Sequence, residues 1–367
     1  MKMKMKPVVN QLRPYEPGKP IEDVKAEYGL DKVIKLASNE NPYGSSQAVQ
    51  KRLTEASTPQ LYPDGHASVL RRAVANHLQV EEGQLLFGAG SDEVILLLCR
   101  AMLTEDTNTV MATPTFSQYK HNALIEGAEI IEVPLKDGFH DLPAMAEAID
   151  EKTRIVWVCN PNNPSGTYNN ADDFSAFMER VPSDVLVVSD EAYAEYVEAD
   201  DYPDTLSLLK SYDNLFILRT FSKMYGLAGL RIGYGVGVKD FVSKVEPLRP
   251  PFNTTTLAQT AAITALETQT FVADCHRNNL HEKKKLESFF RDQDCYCYPS
   301  ETNFILVDVG VSGDDVFQAL IRRGIIVRSG EALGFPHCIR ISIGTENENE
   351  QLMTAFAEWN AHGKMKV

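Results

Sequence analysis

The stretch Leu215-Phe216-Ile217-Leu218-Arg219-Thr220-Phe221-Ser222-Lys223, continued by Met224-Tyr225-Gly226-Leu227-Ala228-Gly229-Leu230-Arg231-Ile232-Gly233, decides the fold. Four apolar residues in a row, followed by hydroxyls, a lysine and glycines, spell a buried strand that runs into a loop. A strand apolar on both faces belongs inside a sheet covered by helices. Lys223 and Arg231 then fall beyond the carboxyl end of a strand, where open α/β sheets bind ligands. Hydroxyls beside a guanidinium suit a phosphate. A lysine in a partly dry pocket is neutral enough to attack a carbonyl. Taken alone, the motif is equally compatible with a solvent-facing lysine in a glycine loop.

Outward from this stretch the same pattern repeats. Short apolar, β-branched runs at Leu85 to Phe87, Thr109 to Ala112, Ile130 to Val133, Ile155 to Cys159 and Val185 to Ser189 read as strands. Helices are expected at Ser91 to Leu103 and Tyr119 to Glu126. The fold class is therefore α/β, with a mainly parallel sheet sandwiched by helices. Gly233-Tyr234-Gly235-Val236-Gly237 reads as a close-packed strand. A break falls at Leu248-Arg249-Pro250-Pro251-Phe252-Asn253. A long helical region (Thr256 to Phe289) follows, then strands at Asn303 to Asp308, Gly324 to Arg328 and Cys338 to Ile343, and a last helix near Glu348 to Trp359. This gives a smaller α+β domain. The expected division is residues 1–45 as an N-terminal arm and part of the small domain, 46–250 as the large ligand-binding domain, and 251–367 as the C-terminal small domain.

Three more motifs sit at strand ends. Asp190-Glu191-Ala192-Tyr193 follows a buried strand, so Asp190 either pairs with a ligand cation, metal or ring N–H, or caps a helix. Cys159-Asn160-Pro161-Asn162-Asn163-Pro164-Ser165-Gly166 projects asparagines into the edge crevice, or is a plain turn. Gly88-Ala89-Gly90-Ser91-Asp92-Glu93 opens a helix. Its sixth position is glutamate, so the dinucleotide fingerprint fails. A phosphate could rest on the amides of Gly90, Ser91 and Asp92 if the Asp92 carboxylate turns away; capping by Ser91 or Asp92 is the structural alternative.

Composition narrows the function. The chain has 367 residues and a formal charge of −15, which disfavours nucleic acid and acidic membranes as partners. Six cysteines and eight histidines show no zinc, redox or disulfide spacing. No run reaches the roughly 18 apolar residues of a membrane span, and no apolar signal region follows Met1 to Lys6. A cytoplasmic, metal-free protein is expected.

The motifs converge. Gly90 to Asp92, Thr220, Ser222 and Arg231 suit a phosphate; Asn163 and Tyr193 suit a phenolate oxygen; Asp190 suits a pyridinium N–H; Lys223 suits an imine. Pyridoxal 5′-phosphate carries all four handles.

With these residues in hand, the chain resembles the fold-type I PLP-dependent aminotransferases, in the histidinol-phosphate branch. The resemblance runs through Asn39-Glu40-Asn41-Pro42, Tyr62-Pro63-Asp64, Gly90 to Glu93, Asn160 to Gly166, Asp190 to Tyr193, Thr220 to Arg231 and Arg340-Ile341-Ser342-Ile343-Gly344. The arm Arg13-Pro14-Tyr15-Glu16-Pro17-Gly18-Lys19 is similar to that of the branch. It implies that Lys223 is the Schiff-base lysine and proton shuttle, and that Asp190 keeps the pyridine nitrogen protonated. Tyr193 and Asn163 would bond the ring oxygen, and Phe116 would stack on the ring. Ser91, Asp92, Thr220, Ser222 and Arg231 would hold the phosphate. Tyr62 would reach it from a neighbouring subunit, which implies a homodimer with shared active sites. Arg340 would read the substrate anion, with Arg328 as second candidate and a salt bridge as the plain alternative for either. Tyr15 and Asn39 would close over the substrate.

The implied reaction is L-histidinol phosphate plus 2-oxoglutarate giving imidazole-acetol phosphate plus L-glutamate, in histidine biosynthesis. An aromatic-amino-acid aminotransferase is the nearest alternative. A threonine-phosphate-type PLP decarboxylase is a rival of another reaction class. A PLP-binding regulatory module would need an attached basic domain for which this chain has neither room nor charge.

Overall fold

The computed structural model describes residues 5–10, 12, 18–55 and 59–363. The larger sheet has seven strands, in spatial order Leu85–Gly88, Gly233–Val236, Leu215–Thr220, Leu186–Asp190, Thr153–Cys159, Asn108–Thr113 and Glu129–Pro134. Neighbours run parallel except Gly233–Val236, which is antiparallel to both strands beside it. That strand is glycine-rich for a steric reason: a Cβ at Gly235 would strike the Phe216 ring, and one at Gly233 the backbone amide of Ser91. It therefore lies close against the helix that begins at Ser91.

Both faces of the sheet are buried, and the period of two explains how one strand serves two cores. Val156 and Val158 point to one side, where helices Gln47–Glu55, Ser68–Leu78 and Ala171–Arg180 pack. Ile155, Trp157 and Cys159 point to the other, against Ser91–Met102, Ser117–Glu126 and Lys239–Val245. Each wholly buried side chain of this size contributes roughly 1.5–3 kcal/mol. The carboxyl ends of the parallel strands thus rest on a rigid frame.

The smaller sheet is antiparallel, ordered Arg328–Ser329, Cys338–Ser342, Phe304–Asp308, Tyr296–Cys297. Leu286 and Phe290 of helix Gln269–Asp292, Val316 and Leu320 of Gly313–Ile321, and Leu352 and Phe356 of Glu346–Gly363 form its core. Near the start of the chain, Ile34–Lys35 pairs in parallel with Ile325–Ile326.

The Pro250-Pro251 break is not where packing divides the chain. Helix Thr256–Glu267 lies beyond it, yet Ala258, Ala261, Ala262 and Ala265 bury against the large-sheet core. The expected long helical region is made of two helices, which part at Thr268.

Candidate active site

The four strand-end motifs, Gly88 to Glu93, Cys159 to Gly166, Asp190 to Tyr193 and Thr220 to Arg231, sit at one edge of the large sheet. Strand Leu215–Thr220 delivers Lys223 on a loop whose neighbours Phe221 and Met224 are wholly buried. Gly226, at φ +69°, lets this loop touch the Gly44 carbonyl, which any Cβ would strike. Asn41 Nδ2 donates to the Met224 carbonyl at 2.7 Å. Lys223 Nζ donates to the Ser38 carbonyl at 3.3 Å and lies 5.8 Å from the centre of the Tyr193 ring. Burial above all, and the nearby Arg340 charge, bring its amine down to about 8. An amine so lowered is partly neutral near pH 7 and can act as a nucleophile or proton carrier.

Asp190 ends strand Leu186–Asp190 and is 3% exposed. Burial pushes its carboxyl up to about 6, against the hydrogen bonds that favour the charged form. Those bonds come from the Tyr119 hydroxyl at 2.6 Å and the Ala192 amide at 3.2 Å. The latter closes an Asx turn rather than capping a helix. Three residues on, Tyr193 is buried, with its phenol pushed up by that burial. Its hydroxyl accepts from Asn39 Nδ2 at 3.0 Å.

The anion cradle is built at the start of helix Ser91–Met102, whose cap, Gly90, has φ +83°. A Cβ there would fall on the Arg231 guanidinium. Arg231 bridges Asp92 at 3.1 Å and Ser222 Oγ at 3.4 Å. The Asp92 carboxylate has therefore turned to Arg231, which leaves its amide to an anion. Thr220 Oγ1 accepts from the Ser222 amide at 3.1 Å. Glu93, the residue at which the dinucleotide fingerprint fails, ties the glycine loop down. It accepts from the Ala89 amide at 2.7 Å and from Asn253 Nδ2 at 2.6 Å.

Arg340 comes from the small domain, on strand Cys338–Ser342, and is 7% exposed. It donates to the Ala37 carbonyl at 2.9 Å and to Asn163 Oδ1, and its guanidinium lies 5.2 Å from the Phe304 ring centre. Arg328 is its direct partner across the strand pair, so the two arginines share a face of the small sheet. Phe116 caps helix Ser117–Glu126. Tyr62 is 81% exposed and stacks on Phe252 at 4.6 Å. Tyr15 lies outside the described residues.

Asn39 is buried and tied to the small domain. It is 1% exposed, its amide N–H donates to Ser342 Oγ at 2.8 Å, and its Oδ1 accepts from Ser342 Oγ at 3.0 Å. Sequence reasoning gave no role to Tyr119 or to the Glu191–Arg219 ion pair behind Asp190. Spacing offered a signal for the first, since residues three apart share a helix face. For the second, the signal was two opposite charges, each placed at the carboxyl end of a buried apolar strand. Among the described residues no three His, Cys, Asp or Glu side chains converge as metal ligands, and no helix is long and apolar enough to cross a membrane.

Residues 31–356 match the family model of class I and II aminotransferases, and the chain belongs to that family. Its relatives narrow this. It is 56% identical over 360 residues to the histidinol-phosphate aminotransferase of Geobacillus sp. (strain WCH70), which covers 97% of this chain and 98% of that protein. Against the histidinol-phosphate aminotransferase of Bacillus subtilis (strain 168) the identity is 56% over 358 residues, with 97% and 99% covered. The crystal structure of the Sinorhizobium meliloti histidinol-phosphate aminotransferase in complex with pyridoxal-5′-phosphate matches at TM-score 0.90 and 26% identity, over 99% of each chain. The fold is the fold-type I aminotransferase fold.

Proposed function

We propose that this aminotransferase holds pyridoxal 5′-phosphate and moves the amino group of L-histidinol phosphate to 2-oxoglutarate, as a cytoplasmic homodimer. The residues present fit the cofactor. The Gly90 cradle, with Ser91, Asp92, Thr220, Ser222 and Arg231, holds its phosphate. Asp190 pairs with its ring N–H, Asn163 and Tyr193 bond its ring oxygen, and Phe116 packs on its face. When bound, the cofactor supplies a sink for the electron pair released at the substrate α-carbon. Lys223 does the proton work: with its amine lowered to about 8, its neutral form would take the proton from the substrate α-carbon and deliver it to the cofactor's C4′. Arg340 and Arg328 meet the substrate anion. A guanidinium fork accepts a phosphate or a carboxylate alike, so one site serves both the phosphorylated donor and the dicarboxylate acceptor. Asn39 holds the Tyr193 hydroxyl in place, and Tyr15 covers the substrate. Tyr62, exposed on this chain, reaches the phosphate of a second copy.

The substrate assignment is carried by 56% identity to a histidinol-phosphate aminotransferase across 97% of the chain. The test is a half-reaction on PLP-loaded protein without any 2-oxo acid. L-Histidinol phosphate should convert the visible absorbance of the cofactor rapidly, and L-tyrosine and L-phenylalanine weakly. Fast conversion by the aromatic acids alone would overturn the substrate and leave the Lys223 chemistry standing.

A further inference from the structure

Tyr119 lies under the site, bonded to Asp190, and has no part in the function proposed above. It is in the first turn of helix Ser117–Glu126 and is wholly buried. Its ring lies flat on Trp157, with centres 4.7 Å apart and planes at 9°. Phe116 meets it edge-on at 5.5 Å and 79°. Its hydroxyl donates to Asp190 Oδ2 at 2.6 Å, within the short range of charge-assisted bonds. Trp157 is held in turn, since its Nε1 donates to Thr109 Oγ1 at 2.9 Å, and that hydroxyl donates to the Ile155 carbonyl at 2.8 Å.

We propose that Tyr119 is a positioning residue that locks the Asp190 carboxylate and the Phe116 ring into one unit, so that the cofactor's ring nitrogen and ring face are met in register. This rests on the reading that the cofactor's ring nitrogen sits at Asp190. The chemistry of the donor matters. Asp190 is buried, and burial favours its neutral form. A neutral acid cannot hold a pyridinium by charge. A hydroxyl donor favours the carboxylate without cancelling its charge, whereas a lysine or arginine at this place would compete with the ring N–H. Burial and the adjacent Asp190 push the Tyr119 phenol well up, so it keeps its proton and stays a donor. The remaining lone pairs of the carboxylate stay available to the ligand. Packing does the rest: the aromatic pair fixes the hydroxyl's approach, and the edge contact passes the same constraint to Phe116.

The test is a double-mutant cycle on full-length protein stripped of PLP, read as the dissociation constant for added PLP. Tyr119→Phe keeps the stack and removes the hydroxyl. It should weaken PLP binding about tenfold, and move the pH midpoint of the cofactor's visible band. In an Asp190→Asn background the same substitution should change affinity by less than about twofold. Equal losses in both backgrounds, or no loss in either, would overturn the proposal. So would a loss matched by a fall in the melting temperature of the PLP-free protein, which would make the role purely structural. If Tyr119→Phe does not accumulate folded, Trp157→Phe takes its place, because it keeps the hydroxyl but loosens its support. Unchanged PLP affinity there also overturns the proposal. An unsubstituted chain that takes up no PLP would instead remove the functional reading beneath it.

Discussion

Replacing Lys223 by methionine should make the PLP-free protein more stable at neutral pH. In the unfolded chain the amine has its ordinary value of 10.5; folding brings it to about 8, through burial first and Arg340 second. Between those values the unfolded chain binds more protons, so stability rises with pH there. Below about 8 the native state carries the whole cost of a charged amine in this pocket. That cost is about 3 kcal/mol from the difference alone. Lys223 keeps some contact with solvent, which trims it to about 2 kcal/mol. Methionine has similar reach and no charge. For a chain of this length the gain corresponds to about 3 °C in Tm. Thermal unfolding at equal protein concentration, followed by near-ultraviolet circular dichroism at pH 7 and pH 9, measures it. The gain at pH 9 should fall to about three-fifths of that at pH 7. A Lys223→Met protein that melts at or below the unsubstituted one at pH 7, or a gain that grows at pH 9, would refute the reasoning.

Three further outcomes follow from the same geometry. Arg340→Gln should lower kcat/KM for the amino donor by about 10²–10⁴, from two charge-assisted contacts of roughly 1.5–3 kcal/mol each. It should also raise the pH at which PLP is captured at half-maximal rate, because Arg340 helps hold the Lys223 amine down; a steady-state loss below tenfold, or a midpoint that falls, would contradict this. Arg219→Met strands Glu191, whose side chain is wholly buried, and should cost about 3–5 kcal/mol in urea unfolding. The double variant Glu191→Met/Arg219→Met should recover most of it, and additive losses would count against the pair. Mixed dimers of Tyr62→Ala and Lys223→Ala chains should turn over faster than either parent homodimer, since one of the two sites is then intact; turnover no better than the parents would place Tyr62 outside the partner's site.

The positions of Lys223, Thr220 and Asp190 were legible because they sit at or just past the ends of apolar runs, at the sheet edge, and that of Arg340 because it alternates with Ile339 and Ile341 along its strand. The glycines at 233 and 235 were readable as close packing for the same local reason. Other features depend on contacts that local pattern does not encode. Thr256–Glu267 follows a proline pair, but its small alanines fit it closely to the large domain. Thr268, where the helix breaks, is neither glycine nor proline. Tyr119 looks like another core aromatic until the fold brings Asp190, 71 residues away, to its hydroxyl. The bonding of Asn39 leaves no local sign in sequence, because its partner, Ser342, is 303 positions distant.

That distance has a consequence for how the protein is made. Ribosomes add roughly 5–20 residues each second, so Asn39 waits about 15–60 s for Ser342 to be synthesised. Over most of that interval Ile34 and Lys35 also lack the strand Ile325–Ile326 that completes their pairing. The large sheet has all its strands once Val236 has emerged, and its last covering helix once Glu267 has. The early segment therefore joins strands made long after it. Until Arg340 and Ser342 have been made, the large domain holds its lysine without the Arg340 charge that helps lower its amine, and Asn39 without its hydroxyl partner.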